Sequence, residues 1–393
     1  MLTTKKGSAC EQVGEEMNVE DPWRPFEEVL ASPWGHAQAW KRKTGGKVIA
    51  HLLPDVPEEI LHASGALPVA IEGAGVQISH AQAHIPGYTC SHAMGALDMG
   101  LRGDLDVLDG MVIPYVCDTT RNLFHIWNHC FPEIANEFLR LPKRWDYPQA
   151  KEYLKAEFLR FMEAIGNVTG RKAGPEELTA SIKLYNDSRA GLRKAYQRQR
   201  VQPSLWSSQR VGELLASALR APREEHLKWM ESLPWDEDPM DPQELVPIYV
   251  RGKVWDPPGI LNLLGSSGLL VVEDEMVTGF RSIAVNAEVN GDPIEALVNR
   301  HFTTIPYAGY HLDPAQTVQR FVERVRASGA RGVIFLNPKF CEAAGFDTPD
   351  FQKALEQADI PSLVLETSAR GVSIEQIRLR VEAFREMIAG DVF

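Results

Sequence analysis

The sequence is poor in the features that would classify it quickly. It has five cysteines in 393 residues, at positions 10, 90, 117, 130 and 341. A set that is odd and sparse excludes a disulfide framework. No two of them form C-x-x-C, so zinc ribbons and thioredoxin-like redox motifs are excluded as well. Positive charge is in deficit: 41 Lys and Arg stand against 53 Asp and Glu, a net charge of -12. Nucleic acid, which requires a basic face, is not the expected partner. Long hydrophobic runs are missing. The longest, such as LLVV (269–272) and VIFL (333–336), are strand-sized and far below the roughly 18 residues of a membrane span. The opening MLTTKKGSACEQVGEEMNVED lacks the apolar stretch of a signal peptide. These absences lead us to expect a cytoplasmic protein that does not enter the membrane. A G-x-x-x-x-G-K-[ST] phosphate loop is also absent, and GAGVQ (73–77) is too short for a dinucleotide fingerprint.

What is present is a repeated pattern of short apolar runs and helical segments. Residues 1–45 read as an N-terminal arm. KVIAHLL (47–53), then DVPEEILHASG (55–65), then LPVAIEG (67–73) read as strand, helix and strand, a β-α-β unit with a right-handed crossover. SHAMGALDMGL (91–101) is helical, MVIPYVCD (111–118) is a buried strand entering a loop, and TTRNLFHIWNHCF (119–131) is an amphipathic helix. This first α/β domain spans 46–149. Residues 150–243 are a helical subdomain ending in the Pro- and Asp-rich linker SLPWDEDPMDPQ (232–243). A second α/β domain spans 244–393, with strands at VPIYVRG (246–252), LLVVEDE (269–275), RGVIFLNPKFCE (331–342) and PSLVLE (361–366). Its helices are expected at 253–268, 317–329 and 373–388. The fold class is therefore α/β: two doubly wound parallel-sheet domains, flavodoxin- or Rossmann-like, with a helical insert between them.

The two halves match. Each runs strand, Pro-bearing loop, helix, Gly, strand, and DGMVIPYVCD parallels RGVIFLNPKFCE. Ligands of open parallel sheets sit beyond the carboxyl ends of the strands. Cys117 and Cys341 each lie just past such an end, and Cys90 lies in a loop before a helix. If the halves face each other, these three can meet in one cleft. Thiolates are the usual ligands of iron–sulfur clusters, and three protein ligands would leave one iron open. On the residues alone, small buried side chains are the favoured reading of these cysteines.

Several longer stretches carry a resemblance. PEEILHASGALPV (57–69), YTC (88–90), LDGMVIPYVCDTTRNL (108–123), IKLYNDSRA (182–190), VVEDEMVTGFR (271–281), GVIFLNPKFCE (332–342) and RLRVEAFREMI (378–388) together resemble the 2-hydroxyacyl-CoA dehydratase and benzoyl-CoA reductase family over about residues 40–390. The resemblance implies one 4Fe–4S cluster on Cys90, Cys117 and Cys341, an acyl-CoA substrate, and a homologous cluster-binding partner subunit. It also implies a separate ATP-hydrolysing activator with its own iron–sulfur cluster, fed by ferredoxin, so that ATP acts only through that activator. Dehydratases of this kind recycle one electron to remove water from an (R)-2-hydroxyacyl-CoA through a ketyl radical. Benzoyl-CoA reductases deliver electrons to an aromatic ring and yield a cyclic dienoyl-CoA. IEGAGVQISHAQAHIPGYTCSHAMGALDMGLRGDLDVLDGMVIP resembles the smaller catalytic reductase subunit more closely. A third reading is an electron-relay subunit whose cluster never meets substrate.

Around these cysteines stand further candidates. Asp118 and Glu342 each follow a ligand position and either handle protons beside the cluster or cap the next helix. Arg121 and Arg281 suit cluster sulfides or CoA phosphates, with structural ion pairs as the alternative. Of His84, His92, His125 and His129, His92 is the preferred proton donor, two residues from Cys90. Glu59 either bonds a substrate group or caps its helix. Cys10 and Cys130 read as non-ligands.

Overall fold

The computed structural model describes residues 21–53, 55–236, 244–367 and 374–390. Cys10 and part of the 232–243 linker lie outside the described residues.

The chain opens with α1 (Arg24–Ala31) and α2 (Pro33–Thr44), then β1 (Lys47–Leu52), α3 (Glu58–Ala63), β2 (Ala66–Ile71), α4 (Ser91–Leu101), β3 (Gly110–Pro114), α5 (Asp118–Cys130) and β4 (Ala135–Leu139). Four helices follow: α6 (Ala150–Thr169), α7 (Pro175–Val201), α8 (Ser208–Ala218) and α9 (Arg223–Glu231). The second half comprises β5 (Val246–Gly252), α10 (Ile260–Ser266), β6 (Leu269–Asp274), α11 (Phe280–Ile283), α12 (Pro293–Thr303), α13 (Pro314–Ser328), β7 (Gly332–Pro338), α14 (Glu342–Gln357), β8 (Ser362–Thr367) and α15 (Ile374–Ala389).

The strands form two sheets of identical order, β2-β1-β3-β4 and β6-β5-β7-β8, with every pairing parallel. This is the expected pair of doubly wound domains. Parallel strands are covered by helices on both faces and so need unbroken apolar runs. β2 (ALPVAI) and β3 (GMVIP) are buried at every position. The sequence reading missed four elements: β4, α11, α12 and α14. It also drew α10 too long, from 253 rather than 260.

The core does not stop at the domain edge. One hydrophobic cluster joins Ile49 and Val112 of the first sheet to Phe158 and Phe161 of α6, Ile182 of α7, Leu297 of α12, and Tyr307 and Tyr310 beyond it. Helix α7 packs on α3 from one side and on α11, α12 and β6 from the other. The helical segment therefore fixes how the halves meet. At the meeting point Asp55, just after β1, bonds Arg281 of α11 at 2.9 Å, and both are buried. Burial alone would push the Asp55 carboxyl up, but Arg281 and His301 hold it below its ordinary value.

Candidate functional site

In a sheet of order 2-1-3-4 the chain reverses direction between the first and third strands, and ligands collect at the carboxyl side of that point. Both sheets have this point, at β1/β3 and β5/β7. β3 and β7 both end in proline, which has no N–H to extend a ladder. The third residue beyond each is a cysteine, Cys117 after Pro114 and Cys341 after Pro338.

All three candidate cysteines occupy the same local position. Cys90 is the N-cap of α4, Cys117 of α5 and Cys341 of α14. A helix N-terminus favours negative charge, so all three positions suit contact with an anionic group. Each is held there by its surroundings. α4 lies so close to the loop after β2 that a Cβ on Gly95 would stand 1.9 Å from the Gly73 carbonyl oxygen. Thr120 braces Cys117 by taking its N–H at 3.3 Å and donating to its carbonyl at 3.0 Å. Before Cys341, Phe340 adopts a left-handed φ of 64°, which turns the chain into α14. Such backbone in a residue with a Cβ costs about 1–3 kcal/mol and clusters at functional sites.

The three thiols lie within electrostatic reach of one buried pair, Lys253 and Tyr307. Lys253 follows β5 directly and is 3% exposed. Its ammonium has no carboxylate partner and no hydrogen bond among the described residues, and its nearest aromatic ring is Tyr307, with the centroid at 5.9 Å. Desolvation works against the charge on Lys253, but Tyr307, Cys90, Cys341 and Cys117 outweigh it and hold the ammonium above its ordinary value. The Tyr307 hydroxyl is buried and also has no hydrogen-bond partner among the described residues. Burial pushes the Cys341 thiol up, and Lys253 pulls it back in part.

Tyr307 lines two cavities. A small one of about 30 Å³ holds Lys253, Cys341 and Arg281. A larger cleft of about 490 Å³ opens between the halves and is lined by Tyr115, Cys117, Asp118 and Lys143 from the first, and by Tyr307, Tyr310, Glu342 and Phe346 from the second. The halves touch here: a Cβ on Gly309 would stand 2.1 Å from the Val116 carbonyl. Lys143 spans the contact, donating to the carbonyls of Val116 and, at 3.2 Å, Gly309.

The other sequence candidates separate by position. Asp118 and Glu342 are exposed first-turn residues of α5 and α14, and both line the larger cleft. Arg121 is exposed and 3.5 Å from Asp118. Arg281 is buried in its pair with Asp55. Glu59 does not open onto the cleft: it is buried against Arg189 at 2.8 Å. Burial pushes its carboxyl up, yet Arg189 and Arg300 hold it below the usual range. Its neighbour Glu58 pairs with Arg223 at 2.6 Å and His51 at 3.1 Å, and is held at about 2 against the cost of burial. His92 is buried, and its Nδ1 accepts from the Gly73 N–H at 3.3 Å. Burial and then Lys253 push its imidazole down to about 3, so its neutral form is the one present. His125 and His129 are exposed on α5, and His84 contacts Cys130 at 3.7 Å. Lys253 and Tyr307 were missed from sequence. The one available signal was that VPIYVRG runs straight into a lysine at a strand's carboxyl end.

No group of three or more His, Cys, Asp or Glu side chains is assembled around a single-ion position among the described residues. A single ion would need its thiolates within about 2.3 Å of one point. What the three cysteines share is their setting: each caps a helix N-terminus, and each acts electrostatically on the same buried lysine.

Two like-ordered parallel α/β domains facing each other over a cleft that Cys117 lines are the class that fold and site define. The family described as 2-hydroxyglutaryl-CoA dehydratase, D-component, matches residues 55–388, and the chain belongs to it. Relatives include a benzoyl-CoA reductase subunit of Thauera aromatica, 28% identical over 362 residues that cover 90% of this chain and 94% of that protein. The (R)-phenyllactyl-CoA dehydratase beta subunit of Clostridium sporogenes is 24% identical over 378 residues, covering 94% of this chain and 100% of that protein. The beta subunit of (R)-2-hydroxyglutaryl-CoA dehydratase of Acidaminococcus fermentans is 26% identical over 371 residues, covering 92% and 98%. No described helix is long and apolar enough to cross a membrane.

Proposed function

We propose that the chain is the iron–sulfur subunit of an ATP-dependent benzoyl-CoA-type reductase. Cys90, Cys117 and Cys341 hold one 4Fe–4S cluster, which when bound supplies low-potential electrons for reduction of an aromatic acyl-CoA to a cyclic dienoyl-CoA. The observation that carries this reading is the cleft of about 490 Å³ that meets Cys117 and is walled by Tyr115, Tyr307, Tyr310 and Phe346. Its volume falls in the usual range for small-molecule sites, and its aromatic walls suit a flat ring by offset or edge contacts. The likeness to a reductase subunit at 28% identity points the same way.

The chain's own residues have divided tasks. The three thiolates anchor the cluster, and the N-termini of α4, α5 and α14 stabilise their charge. Asp118 and Glu342, at the cleft wall, pass protons between solvent and the bound ring. His92, with Nδ1 engaged by Gly73, presents Nε2–H as a neutral donor. Arg121 lies exposed beside the cleft for the phosphates of CoA, and Arg281 locks the halves through Asp55. The partners are a homologous cluster-binding subunit and an ATP-hydrolysing activator with its own cluster, reduced by ferredoxin.

The second reading is a subunit of an (R)-2-hydroxyacyl-CoA dehydratase, a lyase rather than an oxidoreductase. The family description and two of the relatives above carry dehydratase names. A subunit that only relays electrons is the third. The test is an anaerobic assay of the complex with activator, ATP and reduced ferredoxin. The reductase reading requires a dienoyl-CoA product and ATP consumed with each turnover. Turnover of a 2-hydroxyacyl-CoA with only catalytic ATP would replace it by the dehydratase. The ligand set is checked by iron and sulfide analysis of Cys90→Ala, Cys117→Ala and Cys341→Ala, with Cys130→Ala as the variant that keeps its iron. Full iron in any of the first three would remove that residue from the set.

A further inference from the structure

A buried ammonium without a carboxylate is rare, because a charge taken out of water needs an opposite charge or a set of hydrogen bonds. The other buried cations near the domain junction obey this rule. Arg189 has Glu59, Arg223 has Glu58 and Arg281 has Asp55. Lys253 alone among these has neither an acid nor a hydrogen bond among the described residues, although it is 3% exposed. It stands at the carboxyl end of β5, beside the point where the second sheet reverses, and shares a cavity with Cys341 and Tyr307. Tyr307 in turn shares the larger cleft with Cys117. The anion that Lys253 lacks is the one the three thiols would bring.

We propose that Lys253 is a positioning residue for the cluster: its buried ammonium faces the three thiolates, offsets their combined negative charge and raises the reduction potential of the group they hold. This rests on the reading of Cys90, Cys117 and Cys341 as cluster ligands. One-electron reduction adds one negative charge to a site whose negative charge the lysine offsets in part, so removing the ammonium makes that electron harder to add. The charge near a cluster is one of the protein's levers on its potential. Tyr307, between the two cavities, supplies a hydroxyl that donates toward the same group. The other two cations that line the small cavity are already committed, Arg281 to Asp55 and Arg251 to Glu275 and, at 3.9 Å, to Asp347.

The test uses the full chain, loaded anaerobically with iron and sulfide, as wild type, Lys253→Met and Lys253→Arg. Iron and sulfide per chain are measured first. The cluster is then titrated with titanium(III) citrate as the one-electron reductant, followed by electron paramagnetic resonance. The expected result is a lower midpoint in Lys253→Met. At the wild-type midpoint its ratio of reduced to oxidised cluster should fall at least tenfold, which is about 59 mV for one electron. Lys253→Arg should restore most of the shift. A Lys253→Met chain that folds but loads little iron, beside a Lys253→Arg chain that loads fully, also supports a charge role. A loaded Lys253→Met chain with the wild-type midpoint overturns the proposal, as does equal loss of iron from both variants. Absence of iron from the wild type overturns the cluster reading itself and is seen before any variant is compared.

Discussion

Asp274 ends β6 in full burial, and its carboxyl should give the protein a measurable pH dependence. Its Oδ1 accepts the N–H groups of Met276 and Phe280, each at 2.9 Å, and its Oδ2 accepts the Tyr196 hydroxyl at 2.5 Å. Burial outweighs these bonds and pushes the carboxyl up from 3.8 to about 7. The protonated form is therefore the one the folded state prefers. The sign follows from proton counting. Between the unfolded and folded values the folded chain binds the extra proton, so stability falls as pH rises. The contribution is whole below pH 3.8 and gone above about 7. A difference of about 3 units at 1.36 kcal/mol each gives roughly 4 kcal/mol across the window. Asp274→Asn copies the shape of the protonated acid and cannot titrate. Urea unfolding of both proteins at several pH values from 4 to 8, followed by fluorescence and circular dichroism together, measures the effect. Coincident transitions are needed because a chain with two sheets need not unfold in one step. The stability of the variant relative to wild type should rise steadily from pH 4 to pH 7.5 by a few kcal/mol, then level off. Other titrating groups cancel in that difference. A difference that does not change with pH would refute the account of Asp274.

Two further perturbations address the frame of the site. Arg223→Met leaves Glu58 buried with only His51 beside it; loss of one partner of such a pair costs about 3–5 kcal/mol. The thermal midpoint should drop accordingly, and Arg223→Met with Glu58→Gln together should recover part of it. A single-variant loss under about 1 kcal/mol would show that the pair is not held as described. Gly309→Ala places a Cβ 2.1 Å from the Val116 carbonyl and forces apart the two loops that carry Tyr307 and Cys117. Overpacking of this kind costs about 1–3 kcal/mol, and iron retention should fall with it, while Gly345→Ala, where a Cβ meets nothing within 4 Å, should leave the metal content unchanged.

The sheets were legible because parallel strands buried on both faces must be apolar throughout, and GMVIP and GVIFLNP cannot be read otherwise. The places of Cys117 and Cys341 followed from those strands, since a residue just past the end of a buried parallel strand has few places to be. α14 was not legible. It carries Gly345 and Pro349, and a proline inside a helix normally argues against one. β4 was missed because ANEFL is half-buried at four of its five positions and lacks a continuous apolar run. Glu59 shows the limit for charged residues. Two glutamates opening a helix suit its N-terminus, and Glu59 read as a cap or a substrate contact, but their partners, Arg189 and Arg223, lie on α7 and α9, and nothing local announces a pairing so distant in sequence. Lys253 was hidden for the opposite reason: a lysine after a strand usually marks its solvent end, whereas this one is 3% exposed beside Tyr307 and Cys341.

The same topology occurs twice, yet the halves do not contribute equally. The first supplies two thiols, Cys90 from the loop after β2 and Cys117 after β3; the second supplies Cys341 after β7 and Lys253 after β5. Where the first half has Cys90, the second has the region of Arg281, already spent on Asp55. Where the second half has Lys253 after β5, the first has Leu53 after β1. A symmetric pair of halves would offer four thiols at these positions. An arginine that pairs across the halves stands in the region of the fourth, while Cys117 lines the aromatic cleft and Cys341 shares the small cavity with Lys253. The repeated topology accounts for the like placement of the strand ends, and divergence at two equivalent loops accounts for the different side chains found there.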